Sequence, residues 1–558
     1  MSLHARVIAL VGAVAMTFGI TGCGKDGPVG PAGGAFALGQ SVAVGRGREA
    51  RVLGTTTGGS FYAIVVNSGL DSIGEANFSL RAAGVQSPEI PPLDRIPLPA
   101  GEANAVESLR RDQAFESRLR DVERTALTPR FAAARQWNAS RVPSLPTTLS
   151  VGDLVTVNVN ATDPCANPRY HVARVVAIGA KALVLNDTLN PKPGFTTADY
   201  QRYAARFDTL IYPMDVAEFG EPTDIDKNGH IAIVFTRSVN ELTPPGAFSF
   251  VGGLTFSRDL FPQVATARTQ ACPASNEGEY LYLMTPDPSG TINGNPRTTG
   301  FVDTSTTAVI AHELVHLINA SRKLYVNTAA PKFEVKWLDE GLAHVAEELL
   351  FYRESGLASR SNLTYFNLAE TARTRAAYRA DMSPNAGRYR EYLAAPSTSS
   401  PYRAGDELST RGASWSFLRY LADRRGSTDG DTFARLVNNS SIGIVNLQAV
   451  FGNDVGSLVR DWSVSQAVDD VQGVAPELQQ KSWNWHSIFG GVTASPALYP
   501  LPVTHMSAAT STYAGSVVPG GSAFFNFTVP ANDSASFTLD GQAGTTGSNL
   551  QLVIVRTQ

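Results

Sequence analysis

Two kinds of hydrophobic pattern divide this chain. In residues 35–98 and 491–558, apolar positions alternate with polar ones or form short runs between glycine-rich turns. The clearest of these segments are 60–66, 522–529 and 550–556. A period of two predicts β-strands. We therefore expect a small β domain at 35–98 and a separate β-sandwich module at 491–558, which either binds a substrate or surface or only stabilises the protein.

Between these ends, residues 147–190 also alternate, and a helical pattern follows near residues 198–215. Residues 99–146 are rich in charged helix-forming residues but lack a strong apolar face. We expect a helical linker or a propeptide-like segment at 99–146.

A helical period then appears near residue 310. Ile310, Leu314 and Leu317 recur at i, i+4 and i+7, while His312 and His316 lie together on the opposite face. The pattern predicts a helix that buries one side and presents two imidazoles on the other. Three residues are candidate N-caps for this helix: Asp303, Thr304 and Ser305.

The two histidines belong to a His-Glu-x-x-His motif that also contains Glu313. On a helix, their ring nitrogens can reach one tetrahedral zinc ion, with Glu313 beside it as a general base. The motif therefore predicts a hydrolase in which water activated by the metal attacks a carbonyl group.

A second amphipathic helix supplies candidates for the third metal ligand. Its apolar stripe comprises Leu338, Leu342, Val345 and Leu349. The opposite stripe comprises Glu340, His344 and Glu347. The spacing alone leaves all three open as ligands.

At this point the sequence resembles zinc metallopeptidases of the gluzincin type, whose third ligand is the Glu of an Asn/Asp-Glu-Gly/Ala segment. The matching segment is Asp339-Glu340-Gly341, so the resemblance implies that Glu340 is the ligand. The flanking sequence is most similar to hyicolysin-like secreted bacterial peptidases, over roughly residues 195–490. The resemblance implies an α+β, zincin-like metallopeptidase, with a mixed β-sheet N-lobe and the active-site helices at 147–350 and a helical C-lobe at 351–490.

Departures from related patterns narrow the expected activity. Asn319 and Arg322 occupy the positions where metzincins carry a Gly and a third His. The Gly-Ala-Met-Glu-Asn string of gluzincin aminopeptidases does not occur in the sequence. We therefore expect an endopeptidase, with a zinc aminopeptidase as a narrower alternative.

The group that stabilises the oxyanion is less well marked. Relatives carry a Tyr before a Lys-Gly-Ala segment, whereas here Ser409 precedes Arg411-Gly412-Ala413. Tyr402, a few residues upstream, is the candidate for this catalytic role. The departure favours a rival interpretation, in which the chain is a catalytically inactive surface binding or adhesion protein on a peptidase fold.

In such peptidases the strand before the motif helix is often the edge strand that binds extended substrate. Residues 279–284 have that position, and we expect them to form that edge. The expected partners are protein or peptide substrates.

A calcium-loop opening occurs at Asp224, Asp226 and Asn228. An EF-hand requires a Glu at the twelfth position, which is Phe235 here. We expect either a turn entering a strand at 231–235 or a bound Ca²⁺ ion.

The first residues resemble a bacterial lipoprotein signal. Arg6 precedes an apolar stretch at 7–20 that is short for a membrane span, and Cys23 follows Gly22. The resemblance implies a signal peptide at 1–22, lipidation of Cys23 and a flexible tether at 23–34. It places the protein in the bacterial cell envelope, as an outer-membrane lipoprotein or at the cell surface or outside the cell, with the lipid as its membrane link.

The other two cysteines agree with export. Cys165 and Cys272 form an even pair, which predicts one disulfide, with two buried thiols as the alternative. The formal net charge is −4 and there is no basic run, so nothing in the sequence supports nucleic-acid binding.

Overall fold

The computed structural model describes residues 35–88, 100–138, 148–247, 250–264, 272–491, 499–541 and 549–558. The expected signal peptide and tether, with Cys23, lie outside these ranges. Within them the protein is mixed α+β, as expected, and its strands form three sheets.

The strands are β1 Ser41–Gly45, β2 Glu49–Leu53, β3 Gly59–Asn67, β4 Ala76–Ala83, β5 Leu154–Asn158, β6 Tyr170–Ile178, β7 Ala182–Asp187, β8 Ile231–Phe235, β9 Gly253–Leu254, β10 Tyr280–Leu283, β11 Val503–His505, β12 Thr512–Val517, β13 Ser522–Val529, β14 Ser534–Gly541 and β15 Leu550–Arg556. The helices are α1 Ala100–Ala126, α2 Phe131–Asn138, α3 Thr197–Arg206, α4 Tyr212–Phe219, α5 Arg237–Asn240, α6 Thr299–Tyr325, α7 Lys336–Ser355, α8 Tyr365–Ala369, α9 Ala372–Ala377, α10 Ser383–Ala394, α11 Leu408–Arg425, α12 Gly430–Val437, α13 Gly443–Phe451, α14 Val455–Val468 and α15 Trp485–Gly490.

The two ends of the chain form one β-sandwich, which corrects the expectation of two separate β modules. One sheet has the order β1-β15-β3-β13-β11 and the other β12-β4-β14-β2, so each sheet contains strands from both ends of the chain. Phe527 on β13 packs across the sandwich against Phe537 on β14, with ring centroids 4.7 Å apart. Neither end can pair its strands alone, because most neighbours of β1–β4 come from β11–β15.

The central sheet has the order β5-β6-β7-β8-β10-β9. Strands β7, β8 and β10 are parallel, and β8, which has the bounds that its apolar run predicts, is buried along its whole length. Strand β10 is therefore an inner strand, and β9 is the edge, contrary to the expectation for 279–284. Strand β9 has only two residues, one of them glycine, so its hydrophobic pattern is too short to predict a strand from the sequence.

Helices α6 and α7 pack against each other beside this sheet. The N-cap of α6 is Thr298, whose side chain accepts a hydrogen bond from the Phe301 N–H, so the helix begins before the three expected cap residues. Farther upstream, α3 continues through a π-helical turn, Phe207–Ile211, into α4 and so includes the predicted helix.

Helices α8–α15 follow α7 in the chain and share one hydrophobic core with the central sheet. None of the helices in the described ranges combines the length and the apolar character needed to cross a bilayer. The structure joins Cys165 and Cys272 in a disulfide, which ties the β5–β6 connection to the segment before β10.

Candidate active site

Helices α6 and α7 bring three predicted ligands to one point. The Nε2 atoms of His312 and His316 lie 3.1 Å apart. Glu340 on α7 places Oε2 3.6 Å from His312 Nε2 and Oε1 3.7 Å from His316 Nε2. All three residues are buried, and donor atoms of this kind can hold a zinc ion.

The surroundings of Glu340 test whether a metal fits. Neither carboxylate oxygen has a hydrogen-bond partner, although both are buried. The nearest cation, Arg411 Nη1, is 3.0 Å from Oε2. Burial alone would raise the pKa of Glu340, but Arg411 and the histidines outweigh it and hold that pKa well below its usual value. A charged, buried carboxylate without hydrogen bonds, facing two imidazole nitrogens, fits a metal ligand.

Two acids orient the histidines from behind. Asp339 Oδ2 is 2.8 Å from His316 Nδ1, and Glu347 Oε1 is 2.8 Å from His312 Nδ1. A carboxylate on Nδ1 holds the proton there and leaves Nε2 free to bind a metal. The sequence marked Glu347 only as a possible ligand and missed the role of Asp339, although Asp339 immediately precedes the expected ligand.

His344, the remaining ligand candidate, lies behind His312. Its Nδ1 is 3.2 Å from Glu347 Oε1, and the rings of His312 and His344 are 4.9 Å apart. Burial lowers the pKa of His344 to about 3, with help from the Arg388 charge. His344, His312 and Glu347 also lie close enough to hold an ion, but Glu347 there is already within hydrogen-bond distance of both imidazoles.

Glu313 lies next to the ligands and is 2% exposed. Its Oε2 accepts a 2.7 Å hydrogen bond from the backbone N–H of Thr255, just after β9. Burial raises the pKa of Glu313, whereas the His312 and His316 charges lower it. The position and the basicity both suit a general base.

Helix α1 also reaches the site. Arg120 Nη2 is 3.8 Å from Glu313 Oε2, and Arg120 Nε is 3.7 Å from Glu340 Oε1. Glu116, one turn earlier, offers a carboxylate oxygen within 4.8 Å of ligand atoms of His312 and Glu313. The sequence did not identify these two residues, because α1 lacks the apolar face that would have predicted its burial.

Tyr402 is placed away from this group of acids and imidazoles. Its side chain is fully buried, and its hydroxyl donates a 2.6 Å hydrogen bond to the carbonyl of Gly69 in the β-sandwich domain. The ring packs against Trp337. The structure therefore commits the Tyr402 hydroxyl to a contact between domains and does not bring it to the reacting groups.

The candidate calcium segment leads directly into β8, Ile231–Phe235, as the turn alternative predicts. Carboxylates of Asp224 and Asp226 lie together with that of Glu279. Asn228 instead uses its amide oxygen to accept the His230 N–H at 2.6 Å. Calcium binding at this turn stays a prediction, with Glu279 in place of Asn228.

Comparison with known proteins agrees with the site. The neutral metalloprotease ShpI of Staphylococcus hyicus is 30% identical over 161 residues, which are 29% of this chain and 32% of the relative. The chain thus spans about a third of the length of this curated relative. No family model matches the chain. The similarity supports a metal-dependent peptidase as the general class of this protein.

Proposed function

We propose that this protein is a zinc-dependent endopeptidase of the bacterial cell envelope. The observation that carries the proposal is the convergence of His312 Nε2, His316 Nε2 and the Glu340 carboxylate on one buried point, with Glu313 beside it. The partial similarity to a neutral metalloprotease supports the same class.

In the proposed mechanism, His312, His316 and Glu340 hold the zinc ion. When bound, zinc supplies the Lewis acidity that activates water and polarises a peptide carbonyl. Glu313 Oε2 is held by the Thr255 N–H, which leaves Oε1 to accept the proton of the attacking water. Glu313 then delivers that proton to the leaving amine nitrogen. It therefore acts first as a general base and then as a general acid.

The edge strand β9 supports an endopeptidase. Glu313 contacts the backbone immediately after β9, so a peptide that paired with this edge would pass directly beside the general base. A substrate that binds β9 through its backbone groups needs no free chain end at the site. Such binding therefore favours cleavage inside a protein chain.

The proposed location rests on the sequence alone. Lipidation at Cys23, after removal of residues 1–22, would leave the peptidase outside the cytoplasm on a short tether, on the outer membrane or the cell surface. Metabolic labelling with a fatty acid, compared between the parent and the Cys23→Ala variant, tests the anchor.

Cleavage of an unstructured protein tests the activity. The assay compares three zinc-loaded proteins: the parent, the Glu313→Gln variant and the control Glu370→Gln. Each is tested before and after its own limited proteolysis, and cut sites in the substrate are mapped by mass spectrometry. We expect the parent and the control to make internal cuts, because Glu370 is exposed on the surface. We expect none from Glu313→Gln, because Glu313 is the proposed base. The Glu313→Gln variant should lose activity but still bind zinc.

Absence of cleavage by the parent under all these conditions would contradict the proposal and favour the non-catalytic binding protein. Cuts limited to the first residues of the substrate, and blocked by N-terminal acetylation, would indicate an aminopeptidase instead.

A further inference from the structure

Arg120 on helix α1 lies among the acids of the candidate active site, and its direct ion pair is with Glu123 on the same helix, at 2.6 Å. The side chain is 4% exposed, and its guanidinium lies 3.8 Å from Glu313 Oε2 and 3.7 Å from Glu340 Oε1. A buried cation close to the general base stabilises the carboxylate and occupies the space beside it. Arg120 therefore sits where a substrate would have to approach Glu313.

Glu116 fills the neighbouring space, one helical turn away. It is 7% exposed, forms an ion pair with Arg411, and lies within reach of His312 and Glu313. Arg411 in turn contacts Glu340. The carboxylate of Glu116 is thus placed where water and a scissile carbonyl would meet the metal ligands.

Helix α1 also uses the free edge of β9. The backbone N–H of Met284 in the β10 segment bonds to the Gly252 carbonyl, so alternate residues after Gly252 face β10. The residues between them, including Thr255 and Ser257, face away. Arg120 donates to the Thr255 carbonyl at 3.2 Å, and the Ser257 N–H donates to Glu123 at 2.5 Å.

Both groups lie just after β9, next to the edge to which an extended peptide would add a strand. Side chains of α1 satisfy them instead. The helix therefore competes with substrate both for the metal site and for the edge of the sheet.

Cavities lie on both sides of the helix. One is lined by Glu116 together with Phe250, Val309 and Arg388, and it also contacts His312 and Glu313. The other is lined by Arg120 and Glu123 together with Phe333, and it contacts His316 and Asp339. Both cavities thus lie beside α1 and the candidate metal ligands.

We propose that α1 is an internal inhibitor that occupies the substrate groove, an inference that rests on the proposed peptidase function. Glu116 lies against the metal ligands, Arg120 lies beside Glu313, and Arg120 and Glu123 bind backbone groups next to β9. Activation then requires α1 to leave together with α2, which packs Phe131 against Phe333. Cuts at residues 89–99 and 139–147 would separate both helices from the rest of the chain.

The first experiment weakens the contacts in the full-length, zinc-loaded chain. A Glu116→Gln/Arg120→Gln double variant is compared with the parent and with the control Arg118→Ala, an exposed arginine on the same helix. We expect cleavage of an unstructured protein and loss of zinc to EDTA each to become about tenfold faster in the double variant, because the open form is more populated. The control should stay within about twofold of the parent.

The second experiment removes the helix. Recognition sequences for a site-specific protease are inserted at residues 89–99 and 139–147, and activity and EDTA rates are measured before and after cutting. We expect the α1 fragment to dissociate and both rates to rise. The matched Glu313→Gln chain, cut in the same way, should lose zinc faster but show no cleavage.

The outcomes separate the two proposals. Release of the fragment with unchanged rates would overturn the inhibitory role of α1, and equal cleavage by cut and uncut chains would do the same while leaving the peptidase intact. If no chain cleaves substrate, the proposed function fails, and the EDTA rates alone decide whether α1 covers the site.

Discussion

Asp339 and His316 form a hydrogen-bonded pair in which Oδ2 lies 2.8 Å from Nδ1. Asn319 supports the pair, because its side-chain amide donates to Asp339 Oδ1 at 2.6 Å. Asp339 thus aims the other nitrogen of His316 at the metal position while its neighbour Glu340 contacts that position directly.

Replacing Asp339 should weaken metal binding without removing a ligand. We expect Asp339→Ala to lower zinc affinity by about tenfold to 100-fold, since the imidazole loses the acceptor that fixes its proton and orientation. A competition titration with a chromophoric chelator measures the change. Asp303→Asn, at a 38% exposed position on α6, is the control. Equal affinity of Asp339→Ala and parent would show that His316 needs no such support.

Removal of the Tyr402 hydroxyl should affect stability more than catalysis. In Tyr402→Phe the Gly69 carbonyl loses its donor, and we expect the free energy of unfolding to fall by about 1 kcal/mol. The values of kcat and KM should stay close to those of the parent. A fall in kcat of about 100-fold or more would instead assign the hydroxyl to the oxyanion. Denaturant unfolding and steady-state kinetics provide the two measurements.

The disulfide closes a long loop, since Cys165 and Cys272 are 107 residues apart. The Cys165→Ser/Cys272→Ser double variant should lose about 2–5 kcal/mol of stability, because its unfolded chain is less restricted. Thermal unfolding with and without a reducing agent checks this. The reductant should lower the Tm of the parent to that of the variant and leave the variant unchanged; a parent insensitive to complete reduction would contradict the prediction.

Asp381 should make stability depend on pH. Burial, together with the Glu354 and Glu347 charges, raises its pKa from 3.8 to about 8. The folded protein therefore keeps a proton that the unfolded chain releases, and the stabilisation present below pH 3.8 is lost as the pH rises through about 8.

In Asp381→Asn this loss should be absent, so its Tm should fall less than that of the parent between about pH 4 and 8. The measurement is made with excess EDTA, so that metal binding does not contribute. Asp540→Asn, a surface substitution in the sandwich, should retain the slope of the parent. Identical slopes for Asp381→Asn and the parent would show that Asp381 is ionised in the folded state.

The proposed metal ligands could be located from the sequence because their spacing is local. His312 and His316 are one turn apart on a single helix, and Glu340 belongs to a short segment on the next one. Helical geometry alone then aims the imidazoles to the same side. The strand β8 was predictable for a similar reason, since five consecutive buried apolar residues form it.

Other features depend on contacts between distant segments. Arg120 and Glu116 are ordinary charged residues in sequence, and only the docking of α1 buries them against Glu313 and Arg411. The edge position of β9 follows from the order of strands in a sheet, which a two-residue segment cannot reveal. The Tyr402 hydroxyl likewise donates its hydrogen bond to Gly69, which is more than 300 positions away in the chain.

The interleaved sandwich has a consequence for any cut between its two halves. Strand β3 lies between β15 and β13, and β4 between β12 and β14, so strands β1–β4 are held by backbone hydrogen bonds to strands β12–β15. A chain nicked after residue 88 would become two polypeptides on a denaturing gel yet travel as one particle in solution. The sandwich thus works as a noncovalent link, through which the N-terminal strands stay bound to the rest of the protein after the backbone is broken.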